Sequence, residues 1–283
     1  MNTRQKAISG LAVAAILWSF GGLFIKLIEM NPIAIAGIRS GIAAIVMLIY
    51  LKKPKIHLNK ITILGAIVYA MLLLTFVGAN KLTTAANAIF LQYTSPIWTI
   101  ILAHFILKEK IRKHDFITIF AVIGGMGLFF MNSFSGGSLL GNVIALSSGL
   151  FQAGLIILTK LKTEGSAIEI PLLGNIITFI ISIPFIPHRS PGAVSISILL
   201  ILGVIQCGIS YIFYMNSIRK VTSLEAILIP VLEPLLNPVW VFLFVGEKMS
   251  PTTILGGTIV VGFILWNEVV VGRQAEVELS PDS

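Results

Sequence analysis

The stretch Leu224–Lys248 limits the possible folds of this chain more than any other part of it. It is apolar over about the 20 residues that a helix needs to cross the hydrocarbon core of a bilayer. It also contains Pro230, Pro234 and Pro238, one at every fourth position. A proline has no N–H, so the carbonyl four residues before each one loses its usual helical partner. Within lipid such carbonyls need partners in protein or in a water-filled cavity, and we therefore predict a broken helix.

Two polar side chains accompany these prolines. Glu233 lies near the middle of the stretch, and Asn237 follows four residues later, on the same face of a helix. A carboxylate at this depth is costly and usually functional. We interpret the stretch as part of a solute site, because discontinuous helices build such sites in membrane transporters. The alternative is a kinked helix whose Glu233 packs against its neighbours.

The composition is that of an integral membrane protein. Of the 283 residues 56% are hydrophobic and only 11% are charged, and the mean hydropathy is +0.97, whereas soluble domains are about 25% charged. The long apolar runs lack the alternation of strands, which predicts helices. The net charge of +8 does not indicate a nucleic-acid partner, because the basic residues lie in short loops. The single cysteine, Cys207, excludes a disulfide framework and a cysteine-based metal site, and we expect no cofactor.

Ten apolar spans predict an all-α bundle. Their predicted bounds are Ala7–Ile28, Ile33–Leu51, Ile61–Ala79, Thr84–Leu107, Asp115–Met131, Leu139–Thr159, Ala167–Phe185, Ile196–Asn216, Leu224–Val245 and Thr252–Val271. Fifteen of the 20 Lys and Arg residues lie on the side of the N-terminus, four lie on the other side, and Arg39 lies within a span. This bias predicts that both termini are cytoplasmic, in a multi-pass protein of the inner (plasma) membrane. The polar tail, residues 273–283, is expected to be disordered.

The two halves of the sequence resemble each other at a shift of 138 residues. Without a gap, the shift places Gly65 on Gly203, Thr84 on Thr222, Pro96 on Pro234, Glu109 on Glu247 and Gly124 on Gly262. Two repeats, residues 1–134 and 135–272, would each hold five spans. An odd number of spans inverts the second repeat relative to the first, and inverted repeats are typical of transporters.

These features resemble the EamA type of the drug/metabolite transporter superfamily. The resemblance rests on Ser95–Pro96 through Lys108–Glu109–Lys110 in the first half and on Glu233–Pro234 through Gly246–Glu247–Lys248 in the second, with Trp18 and Arg39 at positions common in the family. It covers about residues 7–271 and implies ten helices and secondary transport. It does not imply a particular solute, because members that resemble this chain export amino acids and other metabolites or carry nucleobases and drugs.

Glu233 and Arg39 are the two charged residues within the spans that we single out. Glu233 is our candidate for a cation-binding or proton-coupling group, and its counterpart in the first repeat is the uncharged Ser95. For Arg39 four roles are open: an ion pair with Glu233, a bond to freed carbonyls, binding of a solute carboxylate, or extension towards the membrane surface.

Further polar and aromatic side chains on the spans complete the predicted site. The full set of candidates is Glu233, Asn237, Arg39, Trp18, Gln92, Tyr93, Gln152, Gln206, Tyr211 and Tyr214, with Pro96, Pro230, Pro234 and Pro238 as hinge residues and Glu109 and Glu247 as gates. Aromatic walls with a few polar groups suit a small amphipathic solute. The alternative is that the amides join helices, that the aromatic rings pack, and that the two gate glutamates are ordinary helix-end residues.

These observations favour a secondary transporter that exports amino acids or related compounds by alternating access. Export or facilitated passage of drugs, organic cations or nucleobases is the alternative within the same class. An intramembrane enzyme is disfavoured, because the sequence contains neither HExxH nor GxSxG nor a cluster of Cys and His, and we predict no catalytic residue. A channel is disfavoured by the asymmetric, proline-broken span. The expected partners are a small solute, a coupling proton or cation and the lipid bilayer, and no oligomer is required.

Overall fold

The computed structural model of the chain describes residues 3–52, 55–132, 138–187, 191–236, 239 and 250–279. Every regular element within these ranges is helical, so the predicted all-helical class is confirmed. Six helical stretches in the described residues are long and apolar enough to cross a membrane, namely Pro32–Leu51, Lys60–Leu82, Asn87–Leu107, Leu139–Leu161, Ala193–Ile218 and Pro251–Val271. The other predicted spans form shorter or broken helices, so their number, ten, stays a prediction.

The first half of the chain forms seven helices within the described residues. They are α1 (Thr3–Trp18), α2 (Gly21–Leu27), α3 (Pro32–Leu51), α4 (Lys60–Leu82), α5 (Ala85–Gln92), α6 (Ser95–Leu102) and α7 (Lys113–Phe129), and a π-helical turn, Ala103–Leu107, continues α6. Short polar side chains start three of them. Asn31, Asn59 and Thr84 each accept a hydrogen bond from a backbone N–H in the following turn, which satisfies a donor that the helix itself leaves free.

The second half of the described chain contains α8 to α14. They are α8 (Leu139–Leu161), α9 (Glu169–Ser182), α10 (Ala193–Ile201), α11 (Ser210–Ile218), α12 (Ser223–Leu228), α13 (232–236) and α14 (Pro251–Leu279). The π-helical stretch Leu202–Ile209 joins α10 to α11, and a 3₁₀ turn, Ile183–Phe185, ends α9. Long π-helical stretches are rare and are often found at functional sites, and this one contains Gln206.

The first predicted span, Ala7–Ile28, is two helices and not one. Helix α1 ends at Trp18 and α2 begins at Gly21. At Gly21 a Cβ atom would lie 1.5 Å from Nε2 of Gln206, so only glycine leaves room for that side chain. The prediction of a continuous first helix is wrong, since the chain forms two helices here, and the amide of Gln206 packs against the start of the second.

The predicted span Leu224–Val245 is broken, as its prolines predict. Helix α12 ends at Leu228, and a 3₁₀ turn, Ile229–Val231, leads into α13. Three predicted site residues of this region, Asn237, Pro238 and Glu247, lie outside the described residues.

The last helix is longer than the sequence predicts. Helix α14 continues to Leu279, beyond the predicted end of the span at Val271, and disorder of the tail stays a prediction. The segment Gln274–Leu279 contains no proline or glycine that would end the helix. The remaining residues, 280–283, lie outside the described ranges.

Helices from the two halves pack against one another in pairs. Helix α4 packs against α8 and α9, α3 against α9 and the π-helical stretch, α1 against α11, and α7 against α14. Small residues allow the closest of these contacts. A Cβ atom at Gly37 of α3 would lie 1.6 Å from Oγ of Ser182, and one at Gly203 would lie 2.5 Å from Cβ of Ile42. The second contact holds the π-helical stretch against α3, which carries Arg39.

Candidate functional site

A small cavity lies where these helices meet. Its volume is about 50 Å³, which is room for a few water molecules. Its lining comes from both halves of the chain and comprises Trp18, Arg39, Leu72, Leu73, Phe76, Gln92, Tyr93, Ser95, Gln152, Gln206, Cys207, Tyr211, Ile227, Pro230 and Glu233. A site of this kind, mainly apolar with a few convergent polar groups, is the usual form of a small-molecule site.

Glu233 forms one wall of the cavity together with a tyrosine from the other half. The hydroxyl of Tyr93 donates to the carbonyl oxygen of Pro230 at 2.9 Å, and it lies 3.1 Å from Oε2 of Glu233. The N–H of Leu232 also points to the Pro230 carbonyl. Because Pro234 has no N–H, this carbonyl lacks its helical partner. The Tyr93 hydroxyl therefore contacts both the freed backbone carbonyl and the carboxylate.

A second tyrosine has the same function one turn earlier. Pro230 leaves the carbonyl of Ala226 without a helical donor, and the hydroxyl of Tyr214 donates to that oxygen at 3.1 Å. The two carbonyls that prolines free in α12 and the following turn are thus both bound by buried tyrosine hydroxyls. The third predicted free carbonyl, that of Pro234, depends on Pro238, which lies outside the described residues.

Arg39 supplies the positive charge of the cavity, whereas Glu233 supplies a carboxylate. Its side chain is 1% exposed, and Nη1 donates to Oε1 of Gln206 at 2.8 Å. The backbone carbonyl of Gln206 is itself held, because it accepts a hydrogen bond from Nε1 of Trp18 at 2.9 Å. Within the described chain Nε of Arg39 has no hydrogen-bond partner. Arg39 therefore does not extend to the membrane surface, and its guanidinium keeps donors available.

The two charged side chains of the cavity do not pair with each other. Among the described residues no ion pair involves Arg39 or Glu233, although both line the same space. The described part of the chain also contains no group of three or more His, Cys, Asp or Glu side chains suited to a metal ion. The role of an Arg39–Glu233 ion pair, which the sequence left open, is not realised in this conformation.

Aromatic rings form a continuous wall beside the polar groups. The ring of Tyr211 lies 4.9 Å from Trp18 and 4.8 Å from Tyr69, the latter edge to face. Tyr214 lies 5.1 Å from Trp18, centroid to centroid. These contacts fix the orientation of the rings, since aromatic pairs at such distances stabilise one another. Of these rings, Trp18 and Tyr211 line the cavity and offer a surface for an apolar or aromatic group.

The structure brings together most of the residues that the sequence proposes for the site. Those that line the cavity are Trp18, Arg39, Gln92, Tyr93, Gln152, Gln206, Tyr211, Pro230 and Glu233. Tyr214 is fully buried next to them and does not line the cavity. Asn237 and Pro238 lie outside the described residues. The apolar residues Leu72, Leu73 and Ile227 also line the cavity, and no sequence signal distinguishes them from ordinary core leucines and isoleucines.

A second set of polar contacts joins helix ends at the face of the bundle that holds the N-terminus. Glu109 accepts hydrogen bonds from Nζ of Lys160 at 3.2 Å and from the hydroxyl of Ser223 at 2.8 Å. Arg4 forms an ion pair with Glu225. These contacts link the ends of α1, α6, α8 and α12, which are four of the helices that line the cavity. We name this set the end-face network: Arg4, Glu109, Lys160, Ser223 and Glu225.

The sequence identifies only Glu109 of this network as a gate candidate. The other members are far apart in sequence, since 221 positions separate Arg4 from Glu225 and 114 separate Glu109 from Ser223. No local pattern reveals such pairs. A larger cavity of about 670 Å³ opens beside the network and shares no lining residue with the central cavity.

Comparisons with known proteins agree with this architecture. The sequence model of the EamA-like transporter family matches residues 5–131 and 139–267. The chain belongs to the EamA-like transporter family. The family resemblance inferred from the sequence is therefore confirmed, and the protein is a multi-pass membrane transporter of the drug/metabolite transporter superfamily.

Relatives of this EamA-family chain include two described only as uncharacterized transporters. One, from Clostridium kluyveri, is 25% identical over an alignment 261 positions long that covers 83% of this chain and 83% of its own. The other, YoaV of Bacillus subtilis, is 20% identical over 290 residues and covers 95% of this chain and 99% of its own. A crystal structure of another protein superposes with a TM-score of 0.78 at 15% identity, over 92% of this chain and 97% of that one. This structural likeness concerns the fold alone.

Proposed function

We propose that this EamA-family protein is a secondary transporter that moves a small metabolite by alternating access, and that it exports amino acids or related compounds. The observation that carries the proposal is the central cavity, where Arg39 and Glu233, which form no ion pair within the described residues, face a common space beside a helix broken by prolines. Discontinuous helices beside a polar cavity are the usual construction of solute sites in transporters.

The packing supports two inverted repeats of five spans. At the shift of 138 residues, α4 corresponds to α10–α11, α8 to α1 and α9 to α3. The contact of α4 with α8 then has its counterpart in the contact of α11 with α1, and that of α4 with α9 in that of the π-helical stretch with α3. The family match over two separate ranges agrees with this division. With the positive-inside bias, ten spans give cytoplasmic termini in the plasma membrane.

The broken helix supports a moving element. Pro230 and Pro234 each remove a backbone hydrogen bond, and tyrosine hydroxyls take the freed carbonyls. Such side-chain bonds exchange partners more readily than a continuous helical ladder, because no backbone hydrogen bond has to break. Glu233, next to Pro234, is our candidate for the group that binds a coupling proton or cation.

The cavity size supports a change of conformation during transport. A volume of about 50 Å³ holds a few water molecules and not a metabolite. A solute therefore enters only when the surrounding helices separate. We propose that the end-face network controls this separation on the side of the N-terminus, which the charge bias predicts to be cytoplasmic, and its contacts between the ends of four helices support this role. Glu109 acts there as a gate residue, and Glu247, its counterpart in the second repeat, takes this role at the opposite face.

A counterflow experiment tests the proposal. The purified full-length protein is reconstituted in liposomes that are loaded with a mixture of unlabelled amino acids, and entry of labelled amino acids is followed. Saturable uptake that exceeds equilibrium and requires the internal solute supports a carrier. Uptake that does not saturate and ignores the internal solute indicates a channel. A chemically changed product in the medium indicates an intramembrane enzyme, and no movement of any solute class contradicts the transporter.

A second solute class has one observation in its favour. Glu233 lies in a cavity that Trp18, Tyr93 and Tyr211 also line, and a carboxylate beside aromatic rings is suited to organic cations. Organic cations such as quaternary amines therefore form the second panel in the same assay. Arg39 argues against them, since a cation would leave this guanidinium without a counter-charge.

A further inference from the structure

The two charges of the cavity have opposite signs, and each is held by a neutral partner. Arg39 is fixed by the amide of Gln206, and Glu233 by the hydroxyl of Tyr93. Within the described chain neither has a counter-ion. A buried charge without a partner is strongly unfavourable, and charged side chains at membrane depth normally pair or bind a ligand. The cavity therefore contains one positive and one negative side chain, and within the described chain no residue of opposite charge neutralises either of them.

A solute can neutralise both side chains at once only if it carries a negative and a positive charge. We propose that the cavity recognises the zwitterionic form of an α-amino acid, with the solute carboxylate bound by Arg39 and the solute ammonium by Glu233. This inference rests on the proposed function and adds the residue-level basis of solute selection. A cation alone would leave Arg39 uncompensated, and an anion alone would leave Glu233 uncompensated and add a like charge.

The hydrogen-bonding groups at each pole suit this assignment. Arginine presents several N–H donors in a planar fork that matches a carboxylate. One of these donors, Nη1, is used by Gln206, and Nε has no partner within the described chain. Gln206 in turn is held through its backbone by Trp18, so the guanidinium has a fixed position. On the other side the Glu233 carboxylate receives the Tyr93 hydroxyl and keeps further lone pairs for an ammonium.

The remaining lining provides a place for the side chain of the amino acid. Leu72, Leu73, Phe76 and Ile227 add apolar surface, and Tyr211 adds an aromatic face. This surface carries no charge, so an apolar or aromatic side chain is accepted and a charged one is not. Arg39 and Glu233 select the backbone of the amino acid, and the apolar wall selects its side chain.

The experiment compares each amino acid with analogues that lack one charge. The full-length protein in liposomes performs counterflow of labelled L-leucine or L-phenylalanine, and unlabelled analogues compete. L-leucinamide and L-phenylalaninamide lack the carboxylate, whereas 4-methylpentanoate and 3-phenylpropanoate lack the amine. For the wild type we expect each analogue to compete at least about tenfold more weakly than its parent, since loss of one partner of an enclosed charge pair has effects of this size or larger.

Variants then assign each charge to its residue. In Arg39→Gln we expect the amide to compete as well as the parent amino acid, while the deaminated acid stays weak. In Glu233→Gln we expect the reverse pattern. Glu225→Gln is the matched control, because it removes a carboxylate from the same broken span outside the cavity, and the ratios between analogue and parent should stay at their wild-type values whatever the rate.

The outcomes separate this inference from the proposed function. Wild-type protein that carries solutes with one charge or none, and for which zwitterions are inert, overturns the zwitterion site and leaves the transporter intact. Equal competition by parent and analogues does the same. Failure of every solute class to move contradicts the proposed function itself. If Arg39→Gln does not fold, the comparison of analogues in the wild type still decides whether both charges are required.

Discussion

The predicted fourth spans of the two halves, Thr84–Leu107 and Leu224–Val245, are both interrupted but differ in chemistry. In the first half α5 ends at Gln92, and α6 begins at Ser95 with Pro96 in its first turn. In the second half α12 ends at Leu228, and α13 contains Pro234, the counterpart of Pro96. Ser95, whose buried hydroxyl has no partner in the described chain, takes the position that Glu233 has in the second copy.

This comparison separates the helix breaks, which both spans have, from the Glu233 carboxylate, which only the second span has beside its break. Both spans are interrupted, whereas a carboxylate lies beside the break in only one of them, at Glu233. The copies also interlock, since Tyr93 of the first binds Pro230 and Glu233 of the second. We infer that the proline breaks permit motion in both halves, while the charge gives that motion a dependence on ions or solute.

Removing the charge should have the largest effect. We expect Glu233→Gln to insert and fold normally and to lose gradient-driven transport down to the level of empty liposomes, because the carboxylate that lines the central cavity is gone. The measurement is uptake against a proton or sodium gradient as a function of pH. Wild-type activity with an unchanged pH profile would refute a coupling role and would make the two copies functionally alike.

Restoring a backbone donor should come next. In Pro234→Ala the new N–H can bond the Pro230 carbonyl, which would straighten the helix and displace Tyr93. We expect turnover to fall about tenfold, which corresponds to about 1.4 kcal/mol in the population of the moving state, with little change in melting temperature. Pro96→Ala is the matched variant in the first copy, and equal turnover of the wild type and both variants would rule out motion at the breaks.

Tyr93 and Tyr214 allow a test of the contact with Glu233, because both bind a freed carbonyl. Tyr93→Phe and Tyr214→Phe each remove a donor to a freed carbonyl, and each should lower the free energy of unfolding by about 1–3 kcal/mol. Only Tyr93 also contacts the carboxylate, so only Tyr93→Phe should change the pH profile of transport. Identical pH profiles of the two variants would show that the Tyr93–Glu233 contact has no role in coupling.

The smallest effect is expected at the end-face network. Glu109 is partly exposed, with a relative exposure of 34% for its side chain, and such pairs contribute only about 0.2–1 kcal/mol. We expect Glu109→Gln to raise the accessibility of the cytoplasmic side by less than about fivefold, measured by labelling of a cysteine introduced at Val221. The exchange variant Glu109→Lys with Lys160→Glu should return labelling to the wild-type level, and its failure to do so would argue against a gate.

Much of the site could be predicted from the sequence, because polar side chains and prolines are energetically unfavourable within membrane spans and are therefore easy to recognise there. Charges, amides and prolines within apolar spans are few, so Arg39, Glu233, Gln206 and Tyr93 could be named before any contact was known. Which of these residues contact each other could not be predicted from the sequence. The partner of Arg39 is Gln206 and not Glu233, and this choice depends on the close approach of the π-helical stretch to α3 at Gly203.

The sequence by itself determined the membrane class, the family, the internal duplication pattern and the breaks at prolines, because hydropathy, missing N–H groups and repeated motifs are properties of the covalent chain. Only the tertiary structure decided which hydroxyl binds each freed carbonyl, that the two charges of the cavity remain apart, and that the end-face network joins four helix ends. Three of these contacts, Arg39–Gln206, Tyr93–Pro230 and Glu109–Ser223, link residues more than 100 positions apart. Packing of one helix against another, which no local pattern encodes, sets their distances.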